Sequence, residues 1–197
     1  DGPHYTVTPR ILDILQEHNA RATFFVLGNR VDNFPNIIQR EYSQGHEIGS
    51  HSFSHPQITT LTSDEIEYQF AETEHRIQQY VPYTTKLVRP PYGQITQSLK
   101  EVLQKTFVLW SIDTQDWKTR DKDAIVSEVL NNVKDGDIIL MHDMYSTTAD
   151  ACEELIPALI ERGYQLVTVS ELLNAKEITP VAGSVYSRVL STGNAAS

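Results

Sequence analysis

The sequence predicts a parallel α/β domain, open or closed into a barrel, and three observations carry that prediction. Apolar runs of strand length alternate with helical periodicities along most of the chain, as they do when helical crossovers join parallel strands. Arg21 to Gly28 is nearly continuous in its apolar character and ends on glycine, which fits a strand covered on both faces. Polar residues able to do chemistry fall directly after four consecutive runs, where ligands of such folds bind. A chain of 197 residues has room for one sizeable core.

Taken in order, Asp1-Gly2-Pro3 is a turn leading to a short helix that Thr8 can cap and Pro9 can open, with Ile11, Leu12 and Leu15 as its buried stripe. The strand 21–28 follows, then a helix from Phe34 to Gln44 closed by Gly45, and a short strand from His46 to Gly49. Ser63 is a plausible N-cap for a helix reaching Tyr80, with Glu65 and Glu67 where the helix dipole favours acids and Ile66, Phe70 and Ile77 inside. Lys86 to Arg89 is a strand stopped by Pro90-Pro91-Tyr92-Gly93. A short helix from Gln97 to Gln104 and a strand from Phe107 to Asp113 come next. The helix from Lys122 to Lys134 shows one apolar face, and Gly136 separates it from a strand over Asp137 to Asp143. Cys152, Leu155, Ile156, Leu159 and Ile160 stripe the last long helix, before a final strand from Tyr164 to Val169 and a short helix from Ser170 to Leu173. The domain is expected to span 1–175, with 176–197 a polar tail that is partly disordered or draped over it.

Composition narrows the function classes. A net charge of -10 with no cluster of Lys and Arg argues against nucleic acid as a partner. The single cysteine, Cys152, excludes an internal disulfide framework and a cysteine-based zinc cluster, and its helical context reads as a buried thiol. No apolar run reaches the length of a membrane span or of a signal-peptide core.

Chemistry concentrates between His46 and Pro56. His51 and His55 are four apart, so a helical turn would put both rings on one face, able to share a metal ion. A bare H-x3-H carries little weight by itself. A catalytic zinc site needs a third protein ligand and an open position, and Asp1, Asp113, Asp116 and Asp143 all qualify by chemistry. Spacing does not choose among them.

Five motifs in order make the choice sharper. They are Asp1-Gly2-Pro3, His51-Ser52-Phe53-Ser54-His55-Pro56, Arg89-Pro90-Pro91-Tyr92-Gly93, Asp113-Thr114-Gln115-Asp116-Trp117 and Leu140-Met141-His142-Asp143. Together they resemble the T-F-D-D-G-P, H-[ST]-x-x-H, R-x-P-Y-G, D-x-x-D-W and L-x-H motifs of the polysaccharide deacetylase family, the NodB-homology domain of carbohydrate esterase family 4.

The resemblance implies a distorted (β/α) barrel and one divalent metal, Zn2+ first and Co2+ as an alternative, held by Asp1, His51 and His55. The metal would polarise an acetyl carbonyl and activate water. Tyr92 would supply a backbone N–H to the oxyanion, stiffened by the prolines before it. His142 matches the general acid that protonates the departing amine, Asp116 the carboxylate that keeps it protonated, and Arg89 the arginine that orients the base. Trp117, Leu140 and Tyr92 would wall the acetyl pocket. Asp113 and Asp143 read as structural, and His4, His18, His46 and His75 match no motif position.

The expected reaction is removal of N-acetyl groups from amino sugars of a polysaccharide, with release of acetate. Peptidoglycan is preferred because the whole chain resembles Gram-positive cell-wall members, which places it outside the cell or on a bacterial envelope. The alternatives are an acetylxylan ester deacetylase and a non-catalytic carbohydrate-binding relic. One departure bears on this: the family motif has two aspartates before Gly-Pro, base then metal ligand, and Asp1 matches the second. The expectation is that the base and the first barrel strand belong to an associated N-terminal piece ending in Thr-Phe-Asp.

Overall fold

A computed structural model of the chain describes residues 1–190. Helix α1 (Val7–Glu17) buries Ile11, Leu12, Ile14 and Leu15. Thr6, not Thr8, stands at its N-cap, and Pro9 lies inside the first turn. Thr8 is buried and turned toward Asp143 instead. Strand β1 (Thr23–Val26) is shorter than the apolar run predicts, because Gly28 bends the chain into a single helical turn, α2 (Gly28–Val31). Helix α3 (Pro35–Ser43) and strand β2 (Glu47–Ser50) follow as expected, joined through Gly45 at φ 78°.

Helix α4 (Ser63–Gln78) opens on a capping box between Thr62 and Glu65, which moves the cap one residue ahead of Ser63. Strand β3 (Leu87–Val88), helix α5 (Gln97–Leu103) and strand β4 (Thr106–Val108) complete the first half. The apolar run 107–113 does not form one strand: it breaks into β4 and β5 (Ile112–Asp113). The cause is Arg89, whose Nε and Nη2 donate to the carbonyls of Val108 and Leu109 at 3.2 and 2.9 Å. The guanidinium thus occupies the point where the chain leaves β4.

The second half holds α6 (Asp116–Thr119), α7 (Lys122–Asn132), β6 (Ile139–Leu140) and α8 (Ser146–Glu161). The expected strand at 164–169 is absent. Thr168 and Glu171 form a second capping box there and start helix α9 (Val169–Ala175). Past residue 175 the polar stretch contributes β7 (Val185–Tyr186) to the main sheet, and residues 191–197 lie outside the described residues.

Two parallel sheets result, one in the order β1-β2-β3-β4-β7 and one of β5 with β6. Helices cover them, giving the distorted barrel of an α/β fold. Leu12, Ile38, Ile48 and Ile77 are fully buried in the first half, and Ile125, Val129 and Leu155 in the second. Each such side chain contributes about 1.5–3 kcal/mol by burial. Between β1 and β6 lies a cavity of about 740 Å³, walled by Ile11, Phe25, Leu140, Met141, Leu155 and Leu166 and opening at the strand ends. No helix of the described residues is long and apolar enough to cross a membrane.

Candidate active site

The five motifs of the sequence meet at the mouth of this cavity. Asp1 is held by its backbone nitrogen, which donates to the Phe25 carbonyl at 3.1 Å, and by the Leu27 N–H on the Gly2 carbonyl at 3.0 Å. A Cβ at Gly2 would overlap the Asp143 carboxylate, so a side chain here would have to displace it. Asp143 Oδ2 accepts from Thr8 Oγ1 at 2.5 Å, which ties the Asp1 turn to α1 and to the His142 loop. Asp143 therefore supports the turn, and Asp113 does the same for its own, accepting the Gln115 N–H at 2.9 Å.

His51 and His55 converge, with ring centroids 4.9 Å apart, but no helix brings them together. The segment is a loop in which Ser52 (φ 73°) and His55 (φ 60°) take left-handed backbone. Such conformations cost energy for residues with a side chain and cluster where geometry serves function. His51 Nδ1 donates to the Arg89 carbonyl at 2.5 Å, which fixes the tautomer and leaves Nε2 as an acceptor. That Nε2 stands 2.9 Å from Asp1 Oδ1, and His55 Nε2 stands 3.5 Å from the same oxygen.

One ligand atom from each of Asp1, His51 and His55 lies within 4.8 Å of the others. Asp1 Oδ1 is buried with no hydrogen-bond donor among the described residues. Burial holds His51 well below the usual imidazole range and also lowers His55. Two neutral imidazoles around an undonated carboxylate oxygen are the donor set of a divalent cation, so these residues fit a metal.

The opposite wall carries a carboxylate in the reverse condition. Asp116 is completely buried. It accepts from His142 Nδ1, the His142 N–H and Thr148 Oγ1, each at 2.7 Å, and from the Trp117 N–H at 2.8 Å. Burial pushes its carboxyl up, and the hydrogen bonds with His142 and Thr148 outweigh that, leaving it below the ordinary carboxylate value. His142 turns its other nitrogen toward Asp1, with Nε2 4.0 Å from Asp1 Oδ2. A histidine anchored on one nitrogen and aimed on the other can move a proton at that second atom.

Tyr92 has φ 57°, and its ring stands edge-on to His55 with centroids 4.7 Å apart. The prolines hold this turn, and the Tyr92 N–H is not engaged by another described residue. Trp117 is half exposed at the rim, whereas Leu140 is buried in the wall. The Arg89 guanidinium lies buried, stacked 4.3 Å from the Phe25 ring centroid, with no acid partner among the described residues. Of the unassigned histidines, His46 is a packing residue that accepts the Ala22 N–H. Sequence reasoning missed Thr148, because a Ser-Thr-Thr run at a helix start reads as capping. It missed Tyr145 too, whose ring centroid lies 6.0 Å from that of His142.

Comparison with known proteins gives consistent results. A family model described as polysaccharide deacetylase matches residues 1–108. The chain is 45% identical over 177 residues to the peptidoglycan-N-acetylmuramic acid deacetylase PdaC of Bacillus subtilis, covering 90% of this chain and 38% of that protein. It is 40% identical over 176 residues to the peptidoglycan-N-acetylglucosamine deacetylase PgdA of Listeria monocytogenes, with 89% and 38% covered. The chain thus spans about two-fifths of the length of these curated relatives. Among solved structures, a family 4 acetyl xylan esterase from Clostridium thermocellum in complex with a cobalt ion superposes with a TM-score of 0.91 at 36% identity, over 96% of this chain and 95% of that one.

Proposed function

We propose, from the premise that this chain belongs to the polysaccharide deacetylase family, that it is the catalytic domain of a metal-dependent hydrolase removing N-acetyl groups from a polysaccharide. The observation that carries the reading is the facing pair of walls: the Asp1, His51 and His55 donor set, and His142 aimed at it from the Asp116 side. A divalent metal held by Asp1, His51 and His55 supplies Lewis acidity toward the acetyl carbonyl and acidifies water. Zinc is the ion we assign, with cobalt able to replace it, since imidazole and carboxylate suit both.

The chain's own residues then divide the work. The Tyr92 N–H donates to the developing oxyanion, on a backbone stiffened by two prolines. His142 delivers a proton from Nε2 to the leaving amine, which is too basic to depart unprotonated. Asp116 fixes the imidazole's orientation through Nδ1, and Thr148 holds Asp116. Trp117, Leu140 and Tyr92 bound the space for the acetyl methyl. We place the general base on an aspartate preceding Asp1, carried by a segment lying along β1. Two features support this: the buried Arg89 guanidinium has no acid partner among the described residues, and the cavity beside β1 is lined largely by apolar residues.

Peptidoglycan is the substrate we infer, supported by the names of the two bacterial relatives, and that substrate puts the enzyme at the cell envelope. Acetylxylan is the second reading, supported by the fold match to an acetyl xylan esterase. Acetate release from peptidoglycan, N-acetylglucosamine oligomers and acetylxylan tests all three, for this chain and for a form extended N-terminally through the aspartate. The extended form should release acetate from the amide substrates, stop on chelation and recover with zinc. This chain alone should bind zinc and release little. Zinc binding by the extended form without acetate release would instead make it a carbohydrate-binding relic.

A further inference from the structure

The two histidines of the donor set sit at either end of one tight loop, and the backbone between them is tied down from two sides. The Gly28 and Asn29 N–H groups, where α2 begins, donate to the carbonyls of Ser52 and Phe53 at 3.1 and 3.0 Å. The Phe53 and Ser54 N–H groups both donate to Gln69 Oε1, each at 2.9 Å, and the His55 N–H donates to Ser52 Oγ at 3.0 Å. Gln69 thus reaches in from α4, and one amide oxygen spends both lone pairs on consecutive backbone donors. Its Nε2 donates to Ser54 Oγ at 3.1 Å, which sets the end of the amide that faces the loop, since the reverse would oppose donor to donor. Thr73, one turn further along α4, donates to the Gln69 carbonyl at 2.8 Å and closes with Phe53 on Gly28, where an added Cβ would meet both at 2.7 Å.

Phe53 and Ser54 lie between the left-handed residues Ser52 and His55. Backbone of that kind persists only where its surroundings over-determine it. His51 has an anchor of its own in the Arg89 carbonyl. The His55 ring has no polar partner other than Asp1 in another described residue, so its direction follows from the loop that carries it. Metal-binding histidines are ordinarily aimed by a partner on the second ring nitrogen, and at His55 that task passes to the backbone.

We propose that Gln69 is a positioning residue for the metal centre: by accepting both N–H groups it holds the 52–55 loop in the conformation that directs the His55 ring toward the cation. This rests on the metal-dependent reading of the site and is tested without an activity assay. Zinc affinity is measured on the N-terminally extended protein by competition with a chromophoric chelator, alongside urea unfolding of the metal-free form. Gln69→Met keeps the shape without an acceptor and should bind zinc about tenfold more weakly. Gln69→Asn, one methylene too short to reach the loop, should do the same. Gln69→Glu keeps the accepting oxygen and should stay within about threefold of the wild type. Thr62→Ala removes the cap of the same helix, so it should lower the unfolding midpoint and leave zinc affinity unmoved. Wild-type affinity in Gln69→Met and Gln69→Asn overturns the proposal, as does a loss of equal size in Gln69→Glu or in Thr62→Ala. A wild type that binds no zinc defeats the metal reading and this proposal with it, whereas a zinc-binding wild type that releases no acetate defeats the deacetylase reading alone.

Discussion

The two walls of the site solve opposite electrostatic problems. On the first, Asp1, His51 and His55 are gathered by strained loops, the imidazoles are driven neutral by burial, and a carboxylate oxygen is left without a donor among the described residues. On the second, Asp116 is more deeply buried yet accepts four hydrogen bonds and stays ionised. The first wall offers the donor set of a cation site, whereas the second satisfies its own carboxylate. Burial alone therefore does not set a carboxylate's state; the number of donors aimed at it does.

The largest effects should come from uncoupling the walls. His55→Ala is expected to weaken zinc binding about a hundredfold or more in calorimetry, by removing one of three ligands. His142→Ala should leave that affinity unchanged and lower kcat for acetate release by about 10²–10⁴. Equal loss of zinc in both variants would break the distinction. A smaller effect is expected from Thr148→Val, which deletes one donor to Asp116. We expect kcat to fall about fivefold, from the loss of about 1 kcal/mol, with zinc affinity intact.

The contrast extends to stability. Glu41, on α3 behind the first wall, is fully buried with neither oxygen hydrogen-bonded among the described residues, and burial raises its pKa well above the ordinary 4.5. The unfolded chain ionises there first, so stability should fall as pH rises above about 4.5. Glu41→Leu should raise stability at pH 8 by about 1–3 kcal/mol in urea melts and flatten that slope. The smallest effect concerns His46, which burial pushes down to about 4 from 6.5. Its contribution is present above 6.5 and is lost as pH falls toward 4, at no more than about 1.4 kcal/mol per unit. His46→Gln should reduce this acid sensitivity; an unchanged slope would assign it to other groups.

What the sequence made legible follows the range of the interactions involved. The alternation of elements, and the five motifs that converge at one mouth, are contiguous patterns and could be read directly. The left-handed turns at Ser52, His55 and Tyr92 could not, since no glycine marks them. The break after Val108 is hidden inside an apolar run because its cause, Arg89, lies about twenty residues away in sequence. The expected strand at 164–169 missed a local signal that was present, since Thr168 and Glu171 have capping-box spacing. β7 is two residues long in a polar stretch, and its strand character comes from the open edge of β4.

The account stands most directly on one preparation: His142→Ala in the N-terminally extended form, assayed for bound zinc and for acetate release from an N-acetylglucosamine oligomer. A division of labour between the walls predicts one zinc per chain and release reduced at least about a hundredfold. Release at the wild-type rate, or loss of the zinc, would contradict it.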